Sequence, residues 1–283
     1  MTGIINWNEL WKAMRSGHQR RGDPGEDMGS RWDKRAKKFN ESVMQYSERT
    51  ERQIVKLELK PEYTVLDVGA GTGRLTVPIA KQVKSVTAVD PSKGMLACLQ
   101  ENVEREGITN VTSINKRWED IELGVDIEPH DVVIACHSLG MFDIQEALRK
   151  MDAASKRYVY IINFAGRWMG NGGEELLKAV FGEEHRPWHS LDYILFYNIL
   201  HDMNIYANVN IMDTVFEQHY DSPDDAMDQW KEMHDIPEEK GDVLREHLSK
   251  ILVKDSETGA LSFKRESKSA TIWWQKNETT DMR

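Results

Sequence analysis

Val65-Leu66-Asp67-Val68-Gly69-Ala70-Gly71-Thr72-Gly73 reads as a short apolar run that breaks into closely spaced glycines, with an acid set just before the break. Valine and leucine giving way to glycine predict a buried strand that enters a tight turn, because glycine reaches positive φ without a Cβ penalty. A helix starting at Arg74 would then present unpaired backbone N–H groups to whatever lies in the elbow. The stretch is a candidate cradle for a nucleotide-like ligand.

Spacing and charge discriminate between such ligands. A dinucleotide pyrophosphate site wants a small residue five positions after the first glycine, for close packing of helix on strand; Arg74 stands there. Asp67 would also oppose a phosphate held at the elbow. A phosphate-free ligand carrying an ammonium and a sulfonium, S-adenosylmethionine, would instead be attracted by the same carboxylate. The other reading of Asp67 is a capping acid that orders the loop. Downstream, Ser85-Val86-Thr87-Ala88-Val89 ends in Asp90, near the offset of roughly 20 residues at which a strand-end acid grips ribose hydroxyls. Asp90 can also cap the helix expected over Lys93 to Glu106, where Met95, Leu99 and Val103 recur four apart and Gly107 marks the stop. The two roles are compatible.

With these residues the chain resembles the class I S-adenosylmethionine-dependent methyltransferases, over about Val55 to Ala165 and more loosely to Lys276. The likeness is carried by Val65 to Gly73, Val86-Thr-Ala-Val-Asp-Pro-Ser92 with Met95-Leu96, Trp118-Glu119, and Asp131-Val-Val-Ile-Ala-Cys-His-Ser138. The resemblance implies an α/β fold: a doubly wound, mostly parallel, seven-stranded Rossmann-like sheet with an antiparallel edge strand. It also implies that Asp67, Gly69, Ala70, Gly71 and Gly73 lie under the methionine part of the cofactor and that Asp90 binds the ribose. Pro91 and Met95 would pack on the adenine, and Cys136 would close the fourth strand beside the cofactor. The loop Arg117-Trp118-Glu119 would border the adenine, a carboxylate accepting from its exocyclic amine. Trp118 either stacks on that ring or wedges the loop against the sheet.

Strands are expected at Thr64–Val68, Ser85–Val89, Val111–Asn115, Asp131–Ala135 and Tyr158–Phe164, separated by helical segments, an alternation that predicts right-handed crossovers and a parallel sheet. The helix after the glycine turn, Arg74 to about Val83, contains Pro78 beyond its first turn and should be kinked or shortened. Ile144 to Ala153 reads as a short helix and Leu191 to about Asp202 as another. Val209–His219 and Ser269–Trp274 read as extended, and the resemblance pairs them antiparallel at the sheet edge.

Residues 1 to 50 are expected to form a helical lid: Trp7, Leu10, Trp11 and Met14 follow helical spacing, Gly22-Asp-Pro-Gly25 makes a break, and a second helix carries Trp32, Ala36 and Phe39. Tyr46 and Thr50 could touch the methionine end of the cofactor. The binding domain spans 51 to 276, followed by a tail, 277 to 283. Within it, Gly166 to Ser190, with Trp168, the flexible Gly170-Asn-Gly-Gly173, His185, Trp188 and His189, is a candidate wall of the substrate pocket, since ligands of open α/β sheets sit beyond the carboxyl ends of the strands.

Composition restricts the partners. The 283 residues are 40% apolar and 30% charged with a net charge of −10, and no apolar stretch nears the ~18 residues of a spanning helix. No export signal is visible at the amino terminus, and two cysteines, Cys98 and Cys136, give neither a disulfide framework nor a recognisable metal site. A cytoplasmic setting is the expectation, with no metal and no membrane. The basic stretches Arg15 to Arg21 and Arg31 to Lys38 are short, the second reading as a solvated helix face, and Pro223 to Glu239 is acidic. DNA is therefore not the expected partner, and a small acceptor is favoured over RNA or protein.

Methyl transfer needs mainly alignment of the nucleophile, and a base only where the acceptor must lose a proton early. His137, directly after the fourth strand, has the pKa class for that role, or else anchors its loop; His185, His189 and His18 are weaker candidates. The Asn/Asp-Pro-Pro-aromatic sequence common in amide- and base-nitrogen methyltransferases is absent at this junction, and arsenic methylation lacks its cysteines. Two rival readings stand beside methyl transfer: a nicotinamide-dependent oxidoreductase, disfavoured by Arg74 and Asp67, and a non-catalytic S-adenosylmethionine-binding partner subunit.

Overall fold

A computed structural model describes residues 5–18, 28–44, 47–166, 170–182, 193–255 and 261–276. Its centre is β1 (Thr64–Val68), flanked in parallel by β2 (Ser85–Val89) on one side and β4 (His130–Cys136) on the other. A strand covered on both faces reads as continuous apolar sequence rather than alternation, and Val65, Leu66 and Val68 are all fully buried. β3 (Val111–Ile114) pairs with β2, and β5 (Ser155–Phe164) with β4, all parallel. Strand order therefore reverses at β1, and a ligand crevice opens above its carboxyl end.

β6 (Asn208–Tyr220) and β8 (Leu261–Gln275) complete a path of order β3-β2-β1-β4-β5-β8-β6, with the two-residue β7 (Val253–Lys254) on β8. β8 is antiparallel to both neighbours, lying between β5 and the edge strand β6. The antiparallel pair expected at the sheet edge is thus present, though β8 is far longer than Ser269–Trp274. Its inner part pairs with β5 from Tyr158↔Gln275 to Phe164↔Ser269. Its outer part, toward Leu261, leaves β5 behind and pairs with β6 and β7.

Helices cover both faces. On one, Leu66, Val133, Ala135, Val159 and Ile161 pack under α6 (Ile144–Ala153), α8 (Tyr193–Asp202) and α1 (Trp7–His18), where Trp11 meets Phe196. On the other, Val65, Val132, Ile134 and Tyr160 pack against Ile54 of α3 (Ser47–Ile54) and Ile79 of α4 (Thr76–Ala80). α4 takes the shortened form: Pro78 sits so close to its start that the missing N–H interrupts little, and the chain leaves the helix at Lys81. α5 (Lys93–Arg105) follows β2.

A further core stands apart from the sheet. α7 (Gly170–Phe181), α9 (Pro223–His234) and α10 (Gly241–Ile251) enclose Leu176, Leu177, Trp230, Leu244 and Leu248 against Tyr220 and Phe263 at the outer end of the β6–β8 hairpin. The Trp230 indole N–H donates to the Tyr220 hydroxyl at 2.8 Å. Gly170 to Gly173, read from sequence as a flexible link, begin α7; three glycines obscure a helix that Leu176, Leu177 and Val180 hold in place by burial.

α2 (Met28–Met44) bridges the two bodies. One face lies on α5, with Ala36 beside Met95 and Cys98. The other carries Arg31, Arg35 and Lys38, which pair with Asp235, Glu232 and Asp225 at and around α9. These cations therefore engage the acidic segment instead of forming a purely solvated face. α3 runs across residues 50 and 51, where the lid was expected to end.

Candidate functional site

The turn after β1 takes the conformation its glycines allow. Gly69, Gly71 and Gly73 have φ of +72°, +57° and +87°. A Cβ on Gly69 would lie 2.2 Å from the Ser138 Cβ, and one on Gly73 2.2 Å from Leu99, whereas at Gly71 nothing but Phe39, at 4.0 Å, comes near. Two glycines are thus required by packing, and the middle one leaves open space. The N–H groups of Gly69 and Ala70 donate to the Val89 carbonyl, which locks the turn to the end of β2.

Asp90 follows β2 and joins two backbone segments. One carboxylate oxygen accepts from Gly71 N–H and the other from Ser92 N–H, both at 2.9 Å. The second bond fixes the start of α5, where the Ser92 hydroxyl accepts from Met95 N–H. Burial is the chief cause that raises the Asp90 pKa above its ordinary value, opposed by these bonds. Each oxygen still has a lone pair for a hydroxyl donor.

Asp67 is almost wholly buried at the end of β1 and accepts from the Thr76 hydroxyl at 2.7 Å. Desolvation pushes its pKa up to about 6, against the Thr76 bond and the charge of Arg74. Arg74, noted in the sequence only for its size, is held in place by three acceptors: Thr50 Oγ1 at 3.0 Å, Gln53 Oε1 at 2.8 Å and the Cys136 sulfur at 2.9 Å. It fastens α3 to the end of β4, and burial pushes the Cys136 thiol up.

The remaining predicted positions divide. Pro91 lies between Asp90 and Ser92 and is half-buried. Met95 packs beneath α2 with Ala36 and Cys98. The Trp118 ring lies in the core, its N–H donating to the Ala147 carbonyl at 3.1 Å and Lys150 resting over it, so it wedges the loop against α6. Glu119 beside it is exposed and pairs with Arg117 at 3.1 Å. His137 has φ of +54°, unusual for a residue with a side chain, and its ring lies 4.2 Å from that of Phe164 at the end of β5. Non-glycine residues held in such a conformation concentrate at functional sites. Tyr46, Trp168, His185, Trp188 and His189 lie outside the described residues, as does the side chain of His18.

Sequence reading missed Asp33. From α2 it accepts from the Ser92 hydroxyl at 2.6 Å and from Gly94 N–H at 2.7 Å, a second cap on α5 supplied from outside. Nothing in its local pattern marks it, because the partner lies some 60 residues downstream. Asn102, buried in α5, likewise donates to the Thr72 carbonyl of the glycine turn and to Asn40 of α2.

The site fits an adenosyl sulfonium ligand by its own chemistry. It offers an open cradle at Gly71, a carboxylate at each of two adjacent strand ends, and acceptors for hydroxyl donors. Among the described residues, no group of three or more His, Cys, Asp or Glu side chains could hold a metal ion.

Comparison with known proteins agrees. Residues 65–157 match the family model of a methyltransferase domain. An uncharacterized protein of Haemophilus influenzae is 30% identical over 185 residues, covering 65% of this chain and 66% of that one. A 23S rRNA (uracil(1939)-C(5))-methyltransferase of Aeromonas hydrophila is 31% identical over 119 residues, 39% of this chain and 26% of its own. The chain therefore spans just under two thirds of the first relative and about a quarter of the second. Among solved structures, the YcgJ protein of Bacillus subtilis superimposes with a TM-score of 0.55 at 16% identity, over 82% of this chain and 100% of that one.

Proposed function

We propose that this chain, whose residues 65–157 match a methyltransferase domain, is an S-adenosylmethionine-dependent methyltransferase of Rossmann-like fold that moves the methyl group of that cofactor to a nucleophilic atom of a small molecule. The observation that carries the reading is the pair of buried carboxylates, Asp67 and Asp90, around a turn of positive-φ glycines. Asp67, beside the turn, suits a cationic, phosphate-free adenosyl compound and opposes a pyrophosphate, while Asp90 suits a ribose.

When bound, the cofactor supplies a methyl group on a sulfonium, which is already a good leaving group. The chain's own residues then do the positioning. Asp90, which keeps the turn and α5 in register, would accept from the ribose hydroxyls. Asp67, ionised above about pH 6, would supply the negative charge toward the cationic end. Arg74 holds the end of β4, and His137, at the mouth of the crevice, takes a proton from the acceptor where one must leave early. The cap of α7, α9 and α10 bounds the acceptor side. A small acceptor accords with the net charge of −10, which disfavours attraction to a nucleic acid.

The test is incubation with methyl-labelled cofactor and a fractionated cell extract, wild type against Asp90→Ala. Label in a low-mass fraction that disappears with the variant is the expected result. Label in RNA or protein would reassign the acceptor, and no label in any fraction would leave a cofactor-binding subunit without catalysis.

A further inference from the structure

α1 is docked by its own set of contacts. The Trp11 indole donates to the Met141 carbonyl at 2.9 Å. Asn8 exchanges hydrogen bonds with the Asp143 carboxylate and Gln145 N–H, and Lys12 pairs with Asp143 at 2.8 Å. All of these reach the loop after β4 and the first turn of α6. Arg15 stands one turn beyond Trp11 on the same face and takes no part in these hydrogen bonds.

Its guanidinium lies alongside Gly140, with the terminal nitrogens 3.7 and 3.9 Å from where a Cβ on that residue would stand. The absence of a side chain at 140 makes the room. Arg15 Nε is sealed from solvent and has no hydrogen-bond partner, and among the described residues no carboxylate lies within ion-pair distance of it. Burial lowers its pKa, and Glu119 counters through space without pairing, being engaged with Arg117. A guanidinium so placed has lost much of its hydration with no anion to compensate, an unfavourable state that an entering oxyanion relieves. Its planar fork matches the two oxygens of a carboxylate. Gly140 follows His137 by three positions, and Glu119 belongs to the loop after β3, so the group faces the crevice at the strand carboxyl ends. Arg74, the neighbouring cation, is already occupied by Thr50, Gln53 and Cys136.

Building on the methyltransferase reading, we propose that Arg15 is a specificity-determining residue that anchors a carboxylate of the methyl acceptor. The nearby carboxylates Asp67 and Asp90 are bonded within the protein and Glu119 pairs with Arg117, so an acceptor carboxylate needs a dedicated positive partner there. Arg15 supplies it from the lid, which ties acceptor choice to a closed α1.

Calorimetric titration of S-adenosylhomocysteine and of 5′-methylthioadenosine, which lacks the amino-acid part, into wild type and Arg15→Gln separates the two sources of carboxylate. Both compounds should bind the two proteins within about twofold. A loss of about tenfold or more for S-adenosylhomocysteine alone would assign Arg15 to the cofactor's own carboxylate and overturn the proposal. Next, benzoate and succinate, with benzamide and succinamide as neutral controls, are titrated against S-adenosylhomocysteine-saturated protein by thermal shift. The carboxylates should stabilise wild type, stabilise Arg15→Lys less and leave Arg15→Gln unmoved, while the amides do nothing. Equal responses from acids and amides, or from wild type and Arg15→Gln, would sink it. This readout needs no turnover: a protein that transfers no label but discriminates benzoate through Arg15 would refute the methyltransferase reading and leave the anchor standing.

Discussion

His137 and Gly69 show how a single backbone angle links folding to chemistry. His137 adopts φ of +54°, which a glycine would tolerate freely. His137→Gly is expected to be more stable than His137→Ala by about 1 kcal/mol, both having lost the contact with Phe164, a difference read by urea denaturation. If His137 acts as base, both variants also lower kcat by about 10²-fold or more and flatten its pH profile near neutrality. Gly69 is the converse: a methyl group there meets Ser138 at 2.2 Å, so Gly69→Ala should lose at least about 2 kcal/mol. Ser138→Gly in the same chain should recover only part, because the φ of +72° remains. Asp67 adds a pH effect with a definite sign. Its folded pKa of about 6 exceeds the ordinary carboxylate value of 3.8, so between these the folded chain binds more protons than the unfolded one. Its contribution to stability is present in acid and falls as pH rises through about 6. Asp67→Asn should reduce the loss of Tm between about pH 4 and pH 7, while wild-type affinity for S-adenosylmethionine rises across the same range. Of the residues that matter here, Asp67, Asp90 and the glycines were legible in the sequence because strand, turn and acid are contiguous. Arg74 was visible but read only as too large, since its partners Thr50, Gln53 and Cys136 meet it through folding alone. Arg15 stood in a segment noted merely as basic.

Among the elements, β1 to β5 emerged from sequence with their ends nearly correct: β1, β4 and β5 as largely apolar runs buried on both faces, β2 and the edge strand β3 from their place in the alternation with helices. α6 and the start of α5 were equally plain from their length and periodicity, although the residues that cap them, Asp143 and Ser92, were not singled out, Asp90 being read as the cap of α5. α9 and α10 were not, because Pro223 to Glu239 advertises charge, while Trp230, Met227 and Leu244 supply a core only once Tyr220 and Phe263 arrive from β6 and β8. α2 shows the same dependence: its basic residues gain acidic partners some 200 positions away. This helix carries Asp33, which caps α5, and Phe39, which overlooks Gly71. Loosening it from α9 should therefore reach the cofactor. Reversing the charges of Arg31, Arg35 and Lys38 is expected to raise hydrogen exchange throughout α2 and to weaken S-adenosylhomocysteine binding about threefold to tenfold, in keeping with the modest worth of exposed ion pairs. Wild type in about 0.5 M salt should move the same way. Unchanged exchange in the variant would show that α2 is held by its α5 face alone.

For the molecule as a whole, the sheet and the cap are separate cores. Trp230 is buried among cap residues and the outer ends of β6 and β8, where it meets Phe263 and donates to Tyr220, so its truncation to alanine should destabilise the cap by about 3–5 kcal/mol. Hydrogen exchange should then rise over α7, α9 and α10 while β1 to β5 keep their protection, and S-adenosylhomocysteine should still bind within a fewfold of wild type. A single cooperative loss of both regions would show that they fold as one unit.

The hairpin of β6 and β8 has a further consequence for how such a chain diversifies. Its inner rungs are welded to β5, and its outer rungs run free of the sheet as a cantilever bearing the cap. Insertions, deletions or a graft at the outer end would leave the inner register undisturbed, so long as the carboxylates of Asp225, Glu232 and Asp235 that hold α2 are kept. An outer arm can then be exchanged without rebuilding the strands that carry the glycine turn, which makes the hairpin the place where such a chain changes with least cost to the rest.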